Sequence, residues 1–212
     1  MAKLYFRYGA MNCGKSTNVI QTAYNFFEKG KKALLIKPSI DTKGEDTVVN
    51  RTGLSRKVDV LLKPEEKVRN YLTEDTDAII VDEAEFLTIE QVKELYQITK
   101  LDDIPVLCFG LRANFKMEPF PASIYLLTYA DEITELKSIC KCGKKATHNM
   151  RLYKGVPIFE GEDVLIDGSL DDITYEGVCG KCMLEYFLEW KKGKEQDHPM
   201  IRERKIKWKN KY

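Results

Sequence analysis

No run of apolar residues in this chain approaches the roughly 20 that a membrane-crossing helix needs. The opening stretch, MAKLYFRYGAMNCGKS, has no long apolar segment ahead of a small-residue cleavage site, so no secretion signal is expected. Charge of one sign is lacking too. The 34 Lys and Arg residues face 33 Asp and Glu, a net charge of +1, which provides no global pull toward nucleic acid or a membrane surface. There is no internal repeat. A hydrophobic content of 43% excludes a disordered chain despite 32% charged residues. The chain has 212 residues, enough for one large domain or a core of roughly 100–150 residues with a smaller module. At this size folding buries about 70% of the unfolded surface, so no disulfide staple is required. These observations describe a soluble, globular, cytoplasmic protein with no membrane partner.

What the chain does have is an uneven set of six cysteines. Cys13 and Cys108 stand alone, while Cys140, Cys142, Cys179 and Cys182 form two close pairs in the last third. In a cytosolic chain such pairs are more often metal ligands than disulfides.

The first half alternates short β-type runs with helical patterns. Leu4–Tyr8, Ala33–Ile36, Ala78–Val81 and Val106–Leu111 read as strands, with Ile124–Leu127 and Ile133–Leu136 as a fifth and sixth. Between them, Ser16–Lys29 carries Val19, Ile20, Ala23, Tyr24 and Phe27 at helical spacing and stops at Gly30. Ile89–Leu101 is helical in period as well. Strands alternating with amphipathic helices predict an α/β fold, a parallel sheet covered on both faces, over residues 1–138. From Ser138 the texture changes to a small loop-rich module over 139–192, with a helix at Met183–Lys192. The remainder, 193–212, reads as a basic, mobile tail.

Gly9-Ala10-Met11-Asn12-Cys13-Gly14-Lys15-Ser16 fits G-x-x-x-x-G-K-[ST] in full, after a strand and opening a helix. The glycines let consecutive backbone N–H groups point at phosphate oxygens, and the helix start adds its positive field. Lys15 can reach the β- and γ-phosphates, and the Ser16 hydroxyl can serve Mg²⁺. Nucleoside-triphosphate binding follows, with ATP as the ligand.

Ala78-Ile-Ile-Val-Asp82-Glu83 is an apolar strand ending in two carboxylates. In P-loop proteins an aspartate at a strand end holds Mg²⁺ opposite the loop hydroxyl, which suits Asp82. Glu83, facing the γ-phosphate, can accept a proton from the attacking oxygen. The bland alternative is a pair that merely caps the next helix. The pair by itself does not choose between water and a substrate hydroxyl as nucleophile.

Cys140-Lys-Cys142 and Cys179-Gly-Lys-Cys182 offer four thiolates with 36 residues between the pairs. Four sulfurs suit tetrahedral Zn²⁺ in a closed, structural site that ties a long loop. Free thiols or disulfides are the competing reading. A redox role fits poorly, because neither pair opens a helix after a strand.

Together these motifs resemble the zinc-containing type II thymidine kinases, the cellular and bacterial branch, over about residues 3–190. Gly9-Ala10-Met11 and Gly14-Lys15-Ser16 look like that family's phosphate loop, with Cys13 where serine is usual. Asp82-Glu83-Ala84-Glu85-Phe86 looks like its D-E-A-Q-F, with Glu85 in place of the glutamine, a position that the resemblance implies binds substrate by hydrogen bonding near the nucleobase. The resemblance implies that Glu83 deprotonates the nucleoside 5′-hydroxyl, Asp82 positions Mg²⁺ and Phe86 stacks on thymine. Gly110-Leu111 with Phe115 and Phe120 resembles the GL-x-x-x-F…PF segment, which implies that Leu111, Phe115, Phe120 and Met11 line the nucleoside site. Read alone, those side chains are ordinary core residues. Asp41 matches the aspartate of a D-x-R segment near the sugar, with Lys43 for its arginine, which loses the bidentate fork. Val164, Ile166 and Tyr175 fall on the lasso loop that closes over the base, where Asp167-Gly168 replaces Gly-Gly.

The expected reaction is ATP-dependent phosphorylation of thymidine, with structural Zn²⁺ and with Mg²⁺ accompanying ATP. Deoxyuridine as a second substrate, feedback by dTTP and a homotetramer are further implications of the resemblance. Two readings compete. One is a nucleic-acid-stimulated P-loop ATPase with a zinc ribbon, and the other a zinc-ribbon binding module that uses ATP as a switch. A motor would need further motifs and usually a second core domain, for which 212 residues leave little room.

Overall fold

The apolar runs of the first half form the strands of one sheet. The computed structural model describes residues 1–40, 46–50, 53–161 and 172–195. Asp41, Lys43, Val164 and Ile166 lie outside the described residues, as does the charged segment from 196 onward. The described residues divide into two units. One comprises Met1–Gly9, Gly14–Arg112 and Pro119–Leu136, and the other Ala10–Cys13, Ala113–Glu118 and the chain from Lys137.

In the first unit the strands are β1 (Leu4–Gly9), β2 (Lys32–Pro38), β3 (Thr47–Val49), β4 (Ser55–Lys57), β5 (Val60–Leu62), β6 (Thr76–Val81), β7 (Val106–Gly110) and β8 (Glu132–Leu136). Six of them form a sheet in the order β5-β2-β6-β7-β1-β8, and every neighbouring pair is parallel. β3 and β4 make a separate antiparallel pair. Strand alternation sorts the apolar residues by face. Leu4, Phe6, Leu34, Ile36, Ile79, Val81, Val106 and Cys108 pack with α2 (Ile89–Leu101) and α3 (Pro121–Tyr129). Ala33, Leu35, Ala78, Ile80, Leu107 and Phe109 pack with Val19 and Ala23 of α1 (Lys15–Glu28). Both faces are covered, so the α/β reading holds.

Local chemistry sets the helix ends. α1 stops where Gly30 takes a left-handed backbone (φ 66°), and Lys29, Gly30 and Lys31 donate back to the carbonyls of its last turn. α2 opens on a capping box: Thr88 Oγ1 accepts from Gln91 N–H, and Gln91 Oε1 accepts from Thr88 N–H. Ile124–Leu127, expected as a strand, lies instead in α3. A four-residue apolar run carries no period that separates strand from buried helix. The decisive signal is Pro121 at the first helical position, where its missing N–H costs nothing.

The second unit holds β9 (Ser138–Ile139), β10 (Lys145–Ala146), β11 (His148–Tyr153), β12 (Val156–Ile158), β13 (Ile173–Val178) and α4 (Gly180–Glu195). β9 and β10 pair antiparallel, and β12-β11-β13 form a three-stranded antiparallel sheet. This region was expected to be loop-rich and is strand-rich. β11 hides its signal because both faces are buried while one is polar: Met150 and Leu152 join an apolar cluster, and Asn149 and Arg151 alternate with them. α4 is longer than expected at both ends, taking in Gly193 and beginning at Gly180. The second cysteine pair therefore does open a helix directly after β13, contrary to expectation; the convergence of all four cysteines is what separates it from a redox pair.

Candidate active site

In the first unit, β1 delivers Gly9 and α1 begins at Lys15. Gly14 sits between them in a left-handed conformation (φ 86°) that an L-residue adopts with strain. No side chain caps this helix start and its first turn has no acid, so its N–H groups remain available to an anion. Lys15 is buried beside it.

β6 ends at Val81, and Asp82 N–H donates to the carbonyl of Ile36 on the neighbouring strand (3.0 Å), fixing the buried Asp82 at the carboxyl edge of the sheet. Glu83 then takes a left-handed backbone (φ 47°, ψ 46°). That conformation costs a non-glycine residue on the order of 1–3 kcal/mol and turns the chain sharply, so the two acids need not follow strand alternation. Ala84–Phe86 completes the turn as a short 3-10 helix, and Phe86 meets Phe120 edge to face, centroids 5.6 Å apart.

Glu85 is buried, and neither of its carboxylate oxygens has a hydrogen-bond partner. Burial pushes its acid well above the usual carboxylate range; the Glu83 charge adds to this and Lys15 opposes it. A Cβ at Gly110, the last residue of β7, would stand 2.7 Å from Glu85 Oε2 and 3.2 Å from Glu85 N, so glycine is what admits this turn against the strand. Leu111 follows, buried, its carbonyl accepting from Ser123 Oγ (2.6 Å). The first unit therefore brings together Gly14, Lys15 and Ser16 at one helix start, and Asp82, Glu83, Glu85 and Phe86 at one strand end.

The second unit holds the middle of the phosphate loop. Met11 N–H donates to Asn149 Oδ1 (2.7 Å), and Asn149 Nδ2 donates to the Ala113 carbonyl (2.8 Å). Asn12, left-handed at φ 68°, donates through Nδ2 to the Tyr175 carbonyl (3.1 Å). Cys13 N–H reaches the Ala10 carbonyl (3.3 Å). β13 passes so close that a Cβ on Gly177 would meet Met11 O at 2.9 Å. Phe115 is buried under the Arg151 guanidinium, whose Cζ lies 3.5 Å from the ring centroid, and Arg151 Nε donates to the Tyr175 hydroxyl (2.7 Å). Met11, Phe115 and Tyr175 thus share β11 as a support. Asn149, Arg151 and Gly177 went unnoticed in the sequence, although an arginine inside an otherwise strand-like run was a signal.

The four paired cysteines converge, with all their sulfurs within 4.8 Å of one another. Cys142 Sγ and Cys179 Sγ lie 3.6 Å apart, close to the roughly 3.8 Å edge of a tetrahedron with 2.3 Å Zn–S bonds. A hydrogen bond from the Lys144 backbone, ahead of the neighbouring thiols, draws Cys142 down to about 7, while burial raises Cys182 to about 12. All four are free of disulfides, so the donor set fits one zinc ion, and no ligand position is left for substrate. Met150, Leu152, Val178 and Met183 pack around the cluster.

A family model described as thymidine kinase matches residues 2–183. The chain is 45% identical over 194 residues to the thymidine kinase of Legionella pneumophila strain Lens, covering 88% of this chain and 90% of that one. It is 42% identical over 203 residues to that of Photorhabdus laumondii, covering 92% and 98%. With the thymidine kinase of Shewanella oneidensis the identity is 42% over 199 residues, covering 89% and 100%.

Proposed function

The chain belongs to the thymidine kinase family, and from that premise we propose which of its residues carry out the reaction, transfer of the γ-phosphoryl group of ATP to the 5′-hydroxyl of thymidine. It is a nucleoside kinase. The matched region takes in both the phosphate loop and all four paired cysteines, so the ATPase with a zinc ribbon and the ATP-switched binding module are not favoured.

The observation that carries the assignment is the strained turn at Glu83. Lys15 and the backbone around Gly14 hold the phosphates; Ser16 and Asp82 are the residues that would hold Mg²⁺, which neutralises phosphate charge when bound. Glu83 accepts the proton of the 5′-hydroxyl as its oxygen bonds to the γ-phosphorus and the bond to the bridging oxygen of ADP breaks. By resemblance, Phe86 stacks on thymine, with Leu111 and Phe120 in the first unit and Met11, Phe115 and Tyr175 in the second also assigned to the nucleoside. Asp41, Lys43, Val164 and Ile166 keep the roles that the resemblance implies. Glu85, whose protonated form burial favours, takes the place of the family's glutamine, and in that form it has the same shape and one donor. The four cysteines hold structural zinc.

Deoxyuridine, which lacks only the thymine methyl, is a second substrate in this reading, since one methyl supports modest discrimination. Thymidine triphosphate joins the base of one substrate to the triphosphate of the other, which suits it to feedback inhibition. A homotetramer remains what the resemblance implies. Among the described residues no helix is long and apolar enough to cross a membrane, in keeping with a cytoplasmic enzyme.

The test mixes the purified chain and Mg-ATP with each nucleoside in turn and assays for monophosphate, comparing wild type with Glu83→Gln. Wild type is expected to form dTMP from thymidine. Glu83→Gln is expected to lower kcat by about 10²–10⁴ while both substrates still bind. Near-normal turnover in the variant would remove Glu83 from the base role. ADP release without nucleoside, increased by DNA, would favour the motor.

A further inference from the structure

Arg151 is 1% exposed, the largest of the fully buried side chains. A charge this deep is costly unless its partners hold it well. Two of its partners carry side chains assigned above to the nucleoside. The guanidinium plane stacks on Phe115 with Cζ 3.5 Å from the centroid, and it lies 5.3 Å from the Tyr175 centroid. Nε donates to the Tyr175 hydroxyl at 2.7 Å. The backbone dictates the second contact, because Arg151 on β11 stands directly opposite Tyr175 on β13 in the antiparallel register. A Cβ at Gly161 would come within 3.5 Å of Arg151 Nη1, so the chain closes over the guanidinium there as well.

We infer that Arg151 is a positioning residue for nucleoside binding, fixing the ring plane of Phe115 and the hydroxyl of Tyr175 without itself touching the reacting atoms. This rests on the assignment of Phe115 and Tyr175 to the nucleoside. A planar, always-charged fork can stack on one ring while donating from its edge to another residue. Lysine keeps the charge and does neither in that geometry. A hydroxyl has one donor and two acceptor sites, so the bond from Nε occupies an acceptor and leaves the Tyr175 proton aimed elsewhere.

The experiment is steady-state kinetics on the zinc-loaded full chain, with thymidine and ATP varied separately, for Arg151→Lys, Tyr175→Phe, their double variant and Phe115→Leu. Arg151→Lys is expected to raise KM for thymidine about tenfold. Its kcat and its KM for ATP should stay within about twofold of wild type. Tyr175→Phe should shift thymidine KM in the same direction. The double variant should be no worse than the worse single one, because both substitutions cut the same hydrogen bond. The inference is overturned if Arg151→Lys leaves thymidine KM unchanged, raises ATP KM equally, or adds fully to Tyr175→Phe. Should Arg151→Lys fail to fold, as loss of zinc and of a cooperative melt would show, Arg151→Gln decides: a raised thymidine KM with kcat and ATP KM within about twofold of wild type supports the inference and an unchanged thymidine KM overturns it. If Phe115→Leu and Tyr175→Phe both leave thymidine KM unchanged in an active enzyme, the nucleoside assignment itself falls, and this inference with it. If Phe115→Leu raises it and Arg151→Lys does not, only the role of Arg151 falls.

Discussion

Glu83 and Glu85 are two residues apart, and the turn sends them into unlike surroundings. Glu83 is half-buried at the left-handed corner, and Glu85 is fully enclosed against Gly110 with no hydrogen-bond partner. The raised value of Glu85 means that the folded chain keeps this proton where the unfolded chain has lost it. Stability therefore falls as pH rises from the ordinary glutamate value near about 4.3, and levels off once pH passes the raised value. Glu85→Gln keeps the shape and removes the titration. Its stability relative to wild type should increase as pH rises above the ordinary glutamate range, followed by denaturant melts from about pH 4 upward. A difference that does not vary with pH would show that Glu85 is ionised in the fold. Sequence reading placed Glu85 near the base but not in the interior. An acid in a turn after a strand ordinarily faces water, whereas here the absent Cβ at Gly110 leaves space that the Glu85 carboxylate fills.

Elements were legible in proportion to how plainly their faces differ in polarity. The sheet of the first unit has apolar residues on both faces, so its strands read as continuous runs such as AIIV. α2 announced itself through period and through the Thr88–Gln91 box. β11 did not, because Asn149 and Arg151 occupy buried positions that ordinarily carry apolar side chains. The cysteine quartet was legible without its strands, since ligand type and spacing suffice. Its energetic weight in the second unit should be large. Structural zinc in small peptides binds with an apparent 10–16 kcal/mol, of the same order as the roughly 5–15 kcal/mol that holds a whole domain folded. Cys179→Ser, or removal of zinc by a strong chelator, is expected to unfold β9–β13 and to raise thymidine KM by about tenfold or more, with wild type binding one zinc per chain by metal analysis. A metal-free sample with unchanged thymidine KM and an unchanged circular dichroism spectrum would remove the structural role.

At the scale of the whole molecule, the α/β class followed from alternating runs, but the division of the phosphate loop did not. Gly9 and Gly14–Ser16 belong with the sheet, while Ala10–Cys13 belong with the strand-rich unit, through hydrogen bonds that Asn149 and Tyr175 make at long range in sequence. No local pattern encodes a partner more than a hundred residues away. The net charge of +1 conceals a comparable division. Residues 191–212 contain nine Lys and Arg against three Asp and Glu, leaving 25 against 30 in the rest of the chain. The family match ends at residue 183, and every residue assigned to catalysis, nucleoside or zinc lies at or before that point. ATP is an anion, however, and a basic segment could draw it in by long-range attraction that added salt screens. The two possibilities separate in a variant ending at Glu195. If the segment plays no part in the reaction, kcat and both KM values stay within about twofold of the full chain at about 50 mM and about 200 mM salt alike. If it steers ATP, the shortened chain shows a raised ATP KM at low salt that converges on the full-length value at high salt. We expect the first outcome, because in the proposed assignment Lys15 and the open helix start would meet ATP at contact distance, where salt screens far less than it does between exposed charges.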